Sequence, residues 1–374
     1  MKASMRTFDS ERGFTLIELM IASLITMVVM GVAFTTFDNA LALNDSVTSL
    51  ADSSQNLRAG TNLLVRDLMQ AGRNLPIGGI SIPSGVGSTA IRRPSPPDKN
   101  YFFDNTNLTA LSSITTGASL GPTVDGRTTD MITILMDDPF LEIPTPLPPH
   151  QLKVYPYDCA TVAVQPCGGE TNPAKLTQLG DAISVGSNTG WLQGDATNGI
   201  PAIKAGDILF FSNGPGTTLQ TVTKVDSANV YFEANDPFNF NQPGAAAGSI
   251  TPLLGSAMNV SRVYMYTYYV YEETPGVPRL MRALNMYPPN ALAGVIEDLD
   301  LNYDIVDGVV NPVNVGDLPY TANGNTYTAN QIRKVNVHVG VRSESKSKKT
   351  NDYLRNHVST VVSIRNLAYV DRYK

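Results

Sequence analysis

Charge is scarce in this 374-residue chain: Asp, Glu, Lys and Arg make up 16% of it, and the net charge is −6. With a sequence pI near 5.1, no basic surface is expected to draw it to nucleic acid or to an anionic membrane face. Cysteine is almost missing. The two that occur, Cys159 and Cys167, form no CxxC pair, and the three histidines at 150, 338 and 357 are scattered. No HExxH or Walker A sequence is present, and no GxSxG or GxGxxG lies between a predicted strand and a helix. Those are the settings in which metalloprotease, nucleotide or hydrolase chemistry is read from sequence. Neither an enzymatic activity nor a cofactor is expected. Proline is absent before Pro76, so nothing interrupts a long helix in that stretch. After residue 75 the Lys/Glu-rich amphipathic runs disappear, while Thr, Ser, Asn, Gly and Pro are abundant. That composition suits a β-rich, loop-rich exported domain.

What is present is concentrated at the N-terminus. A polar start, MKASMRTFDSERG, carries Lys2, Arg6 and Arg12 and is followed by an unbroken apolar run, Phe14 to Phe34. The run's length of about 20 residues matches the hydrocarbon thickness of a bilayer. Basic residues before it and few charges after it place the short end in the cytoplasm and the remainder outside the inner membrane. A secretory signal fits poorly, because no small-residue cleavage site follows the apolar run. Glu18 lies inside that run, where a lone carboxylate costs about 2.5–3.5 kcal/mol on insertion scales. Two partners are open to it: lipid headgroups within its reach, or an α-amine made by proteolysis between Gly13 and Phe14. The second would act between neighbouring chains, where little water screens the attraction.

The segment Gly13-Phe14-Thr15-Leu16-Ile17-Glu18-Leu19 resembles the class III signal of type IV pilins and pseudopilins. The resemblance implies that a prepilin peptidase cuts after Gly13, that Phe14 becomes the methylated N-terminus, and that Glu18 is the assembly carboxylate. Several later stretches resemble the PilW-type minor pilins and the related J-type pseudopilins of type II secretion. They are TTDMITILM, AGDILFFSNG, VYMYTYYVYEETPGVPRLMRALN, GVIEDLDLNYD and QIRKVNVHVGVRSE with VSTVVSIRN. The chain's length suits the minor pilin better. The implied partners are the peptidase, other minor pilins, the major pilin and the inner membrane. The implied location is the inner membrane, with the head in the periplasm, and then the pilus on the cell surface.

Val47, Leu50, Leu57, Leu64, Leu68 and Ala71 recur at helical steps among polar residues, predicting one apolar stripe on a helix from about Phe14 to about Asn74. Gly31 and Gly60 are read as points where this rod loosens. The fold class is α+β: a long N-terminal helix, transmembrane in its first half, packed on an antiparallel β-sheet head with a loop-rich inserted β subdomain. The expected divisions are a leader over 1–13, the helix over 14–75 (14–34 in the membrane) and a head over 76–374 with an insertion at 140–255. Residues 75–107 read as a long loop. Strands are expected at Thr129–Met136, Gly206–Ser212, Gln220–Val225, Asn229–Phe232, Arg262–Tyr271, Arg279–Leu284, Val295–Tyr303, Ile332–Arg342 and Val358–Asn366. Ser343–Asn351 reads as a charged hairpin tip.

Cys159 and Cys167 flank CATVAVQPC in an oxidising compartment, and a local disulfide is expected. Glu297, Asp298, Asp300 and Asp304 form an acidic cluster, with 298, 300 and 304 on one strand face beside Asn302. It reads as a solvated face opposite a basic neighbour, with calcium as the other reading. Asp137-Asp138 before Pro139 reads as a turn. Tyr264, Tyr266 and Tyr268 share one face of their strand, read as packed on one side and exposed on the other, with an adhesive patch as the alternative. The expected function is a minor pilin that primes or caps a type IV pilus; the rivals are a J-type pseudopilin of a type II secretion system, a tip adhesin and, last, a periplasmic enzyme with a pilin-like anchor.

Overall fold

The computed structural model describes residues 13–103, 108–138, 152–159, 167–193, 202–347 and 351–367. The leader up to residue 12, His150 and the middle of the CATVAVQPC run lie outside these. A single helix, α1, runs Leu16–Gln70, about 80 Å at 1.5 Å per residue. It starts one residue after the N-cap Thr15 and passes through both Gly31 and Gly60 without a break. The expected loosening at these glycines is therefore absent. Gly60 serves a different purpose: a Cβ there would stand 2.9 Å from the Ala293 Cβ, so its bare backbone sets how closely the helix lies on the sheet.

The head is built on a meander of six antiparallel strands: β1 (Ile132–Asp137), β2 (Met258–Thr274), β3 (Val277–Leu284), β4 (Asn290–Ile305), β5 (Ile332–Lys346) and β6 (Tyr353–Ser363). Each pairs with the next in chain order. The β2–β3 hairpin closes at Thr274-Pro275-Gly276, with Gly276 at positive φ, the conformation glycine adopts without steric cost. The inner face of this sheet, with Tyr268, Leu280, Ile296, Leu299, Val337, Val339 and Val362, buries Leu57, Leu64, Leu68 and Ala71 of the helix and its C-cap.

The predicted stripe is only half right. Val47 and Leu50 are exposed, and the helix meets the head there through Ala42, Ser46, Ser49 and Ser53, each half-buried. Small residues let the helix approach at that height, and the larger Val47 and Leu50 turn outward. The reading of β2 as exposed on one face also needs correction. Tyr266 and Tyr268 pack on the helix side, while Tyr269 is buried on the other side against Met131 and Met281.

Residues from 152 to 231 carry further strands, including Leu152–Tyr155, Ala174–Leu176, Ala182–Ser184, Ile208–Asn213, Gly216–Thr221 and Asn229–Tyr231. They enclose a second core around Trp191, Phe211 and Phe232. They also hydrogen-bond into the same fourteen-stranded sheet, because the N-terminal half of β2 is flanked by Leu152–Tyr155 on one edge and Ile208–Asn213 on the other. The stretch read as a loop from residue 75 lies over a third core, contributing Leu75, Ile80, Ile82, Ile91 and Phe103. Cys159 and Cys167 form a disulfide, with Cα atoms 5.5 Å apart.

Candidate functional site

Every residue from 13 to 41 is exposed, although this segment holds about half of the large exposed apolar side chains among the described residues, Phe14 to Leu41. Among the described residues α1 is the helix long and apolar enough to cross a membrane. An apolar surface of this extent is incompatible with water, so lipid or other protein must cover it. At its tip the Glu18 carboxylate turns back on its own helix. It accepts from the Thr15 N–H and the Thr15 hydroxyl, each at 2.9 Å, and Thr15 Oγ1 accepts from the Glu18 N–H at 3.3 Å. This capping box satisfies donors that the first turn leaves open. Gly13 and Phe14 lie ahead of it in exposed chain outside the helix, Phe14 being 90% exposed. Thr15 as N-cap escaped the sequence reading, though the Thr-x-x-Glu spacing signals it.

The other end of the helix is fixed by a buried carboxylate. Asp67, 2% exposed, accepts from the Tyr268 hydroxyl at 2.6 Å, from Arg282 Nε at 2.8 Å and from Arg282 Nη2 at 2.6 Å. The Arg282 guanidinium also lies 3.7 Å from the centre of the Tyr266 ring. Burial and the neighbouring Asp67 push the Tyr268 phenol up. Burial pulls the Arg282 guanidinium down, but the phenols of Tyr268 and Tyr266 and the Asp67 carboxylate outweigh it and the net shift is upward. The Arg282 guanidinium therefore stays charged across the physiological pH range, and its bonds to Asp67, with that of Tyr268, fix the helix to β2 and β3.

Asp298, Asp300, Asn302 and Asp304 do share one face of β4, in register with Gly340, His338, Asn336 and Lys334 of β5. A bulge between Ile296 and Asp298 disturbs the register of β4, and the carboxylates go to different partners. Glu297 pairs with Arg355 at 2.6 Å, and Asp298 with Arg127 at 3.2 Å. Among the described residues no group of three or more His, Cys, Asp or Glu side chains is placed to hold a metal. Asp138 is not a turn residue: it is buried and paired with Arg262 at 2.5 Å, and Asp207 meets the same guanidinium at 3.3 Å.

Two arrangements were not foreseen. His338 Nδ1 stands 2.8 Å from Ser359 Oγ and its Nε2 lies 3.9 Å from Asp298. The three side chains sit on the open face of β4–β6, and the carboxylate is turned to Arg127. Gly117-Ala118-Ser119-Leu120-Gly121 has GxSxG spacing, but it joins the strand at Ile114–Thr115 to the one at Thr123–Val124. The Ser119 hydroxyl accepts from Thr128. Neither arrangement has the strand–turn–helix setting in which such a serine is activated.

Residues 9–34 match the model of the prokaryotic N-terminal methylation motif. No curated protein and no solved structure matches the chain significantly. Together the motif and the uncovered apolar helix support a type IV pilin-like protein, structural in kind and anchored in a membrane.

Proposed function

We propose that this chain is a minor pilin, cleaved after Gly13 and N-methylated at Phe14, that primes assembly of, or caps, a type IV pilus. The observation that carries this reading is the helix segment from residue 13 to 41, left wholly uncovered by its own head. Before processing, the inner membrane covers it, with the head in the periplasm. After extraction, the corresponding helices of neighbouring pilins cover it. Cleavage creates an amine at Phe14, and Glu18 of one chain neutralises the amine of its neighbour inside an apolar bundle, where the pair is little screened. The carboxylate is available for this because its present partners are local N-cap donors. A head with three separate cores and long ordered loops suits a position used once, at the start of a filament, better than one repeated along a shaft.

The test is Glu18→Ala in the full chain, expressed in its own bacterium. Cleavage and membrane insertion should be unchanged while incorporation into sheared filaments is lost. Incorporation at the normal level would refute the charge-pair assembly. Deletion of the chain should remove surface pili; loss of protein secretion with pili intact would assign it instead to a secretion pseudopilus.

A further inference from the structure

The histidines are scattered in the sequence, yet the fold sets two of them side by side. His338 of β5 and His357 of β6 have ring centres 5.5 Å apart. Strand register accounts for the meeting. Gly340 pairs with Asp298 on β4 and with His357 on β6, so one row across three strands carries a carboxylate and an imidazole with no side chain between them. A Cβ on Gly340 would stand 2.9 Å from the Asp298 Cβ, so glycine is what leaves this row open. His338 projects two residues along on the same face, its Nε2 3.9 Å from Asp298 Oδ2. Its other ring nitrogen, Nδ1, lies 2.8 Å from Ser359 Oγ. With Nδ1 donating to that hydroxyl, the lone pair left for a ligand is on Nε2; a hydrogen bond at one ring nitrogen orients a histidine ligand in this way.

These separations are close to what one metal ion requires. A tetrahedral zinc ion with Zn–N bonds of about 2.0 Å holds two imidazole ring centres about 5 Å apart and neighbouring donor atoms about 3.3 Å apart. Here the same two quantities are 5.5 Å and 3.9 Å. The three donors do not converge as they stand, the rings being tilted 38° to one another, but little holds them. His357 is exposed and the His338 side chain keeps 35% exposure, so both rings can turn. Arg127, which meets Asp298, is 75% exposed, and its release into water costs little. The geometry points to a binding site for a transition-metal dication on the open face of β4–β6, held by His338, His357 and Asp298. Two imidazoles and one carboxylate favour such an ion over calcium or magnesium, which take oxygen donors in greater number. Among transition metals the spacing suits tetrahedral zinc, whose fourth position stays open to water or to a donor from another molecule.

The experiment titrates zinc chloride into the full-length chain, purified in detergent micelles without a histidine tag, and follows binding by isothermal titration calorimetry. A single ion per chain should bind, and calcium and magnesium should not compete. Loss of a group that orients a ligand costs about 10–100-fold in metal affinity. Ser359→Ala should therefore weaken binding about tenfold, and His338→Ala and His357→Ala, which remove ligands outright, about a hundredfold or more. Lowering the pH from about 8 to about 5 should abolish binding, because both imidazoles must be neutral to coordinate. Zinc should also shield His338 and His357 of the unsubstituted chain from diethyl pyrocarbonate, a result read by mass spectrometry and independent of how any variant folds. The absence of binding heat, binding that survives both histidine changes, equal affinity for calcium, or histidines left unshielded would each overturn the site.

Discussion

Asp67→Ala removes the acceptor that three donors share, and its cost follows from the geometry. Arg282 Nε and Nη2 and the Tyr268 hydroxyl all point to Asp67 Oδ2 within 2.8 Å. Without it a largely buried guanidinium and a buried phenol are left unpaired. Breaking a buried ion pair by removing one partner costs about 3–5 kcal/mol. The Arg282 side chain keeps 17% exposure and its stacking on Tyr266, which lowers the figure to about 2–4 kcal/mol. Tyr268→Phe removes one hydrogen bond to a charged group, about 1.5–3 kcal/mol. The double variant should cost less than the sum by about 1 kcal/mol or more, because both changes remove the same contact. The assay is urea unfolding of the full chain in detergent micelles, followed by circular dichroism and by fluorescence of Trp191, the single tryptophan. Trp191 lies in the second core rather than at the helix seat, so coincident transitions would also show that seat and head unfold together. An Asp67→Ala variant within about 0.5 kcal/mol of wild type, or strictly additive single changes, would refute the claim that this carboxylate seats the helix.

Two further predictions concern the head. Gly60→Leu should destabilise the same preparation by about 1–3 kcal/mol despite leucine's higher helix propensity, because Ala293 and Leu280 already occupy the space. A stabilised variant in the same titration would show that the helix can lift off the sheet freely. Cys167→Ser opens a ring whose ends are 8 residues apart in sequence, and loop closure on that scale is worth about 2–3 kcal/mol. Protease sensitivity should rise around residues 159–167 while Asp67-dependent stability is unchanged, and equal loss at both places would contradict a local role.

The helix and the strands around it were legible because their signals are local and periodic: the apolar run, the Leu57-Leu64-Leu68 spacing, and the alternation in β2. The sequence reading went astray where tertiary contacts decide. Val47 and Leu50 look like docking residues, yet the helix meets the head there through serines, and that choice depends on how close the sheet approaches. Asp138 beside a proline looks like a turn, but a buried Arg262, 124 residues later in the chain, makes it a core ion pair. Glu297 reads as part of the cluster at 298–304, but a bulge sets it apart and sends it to Arg355 while Asp298 goes to Arg127. Asp67, the most consequential residue of the helix seat, carries no local signal, since an aspartate between arginine and leucine on an amphipathic helix reads as a surface residue. The bulge and the long-range arginine partners follow from strand register, which hydrophobic patterning alone does not fix.

The central claim is that the chain is cut after Gly13 and that the helix so freed is built into a filament. It is tested most directly by mass spectrometry of the N-terminal peptide, taken separately from sheared surface filaments and from inner membranes. The account predicts a peptide beginning at methylated Phe14 in the filament fraction. A peptide beginning at Met1 in both fractions would contradict it.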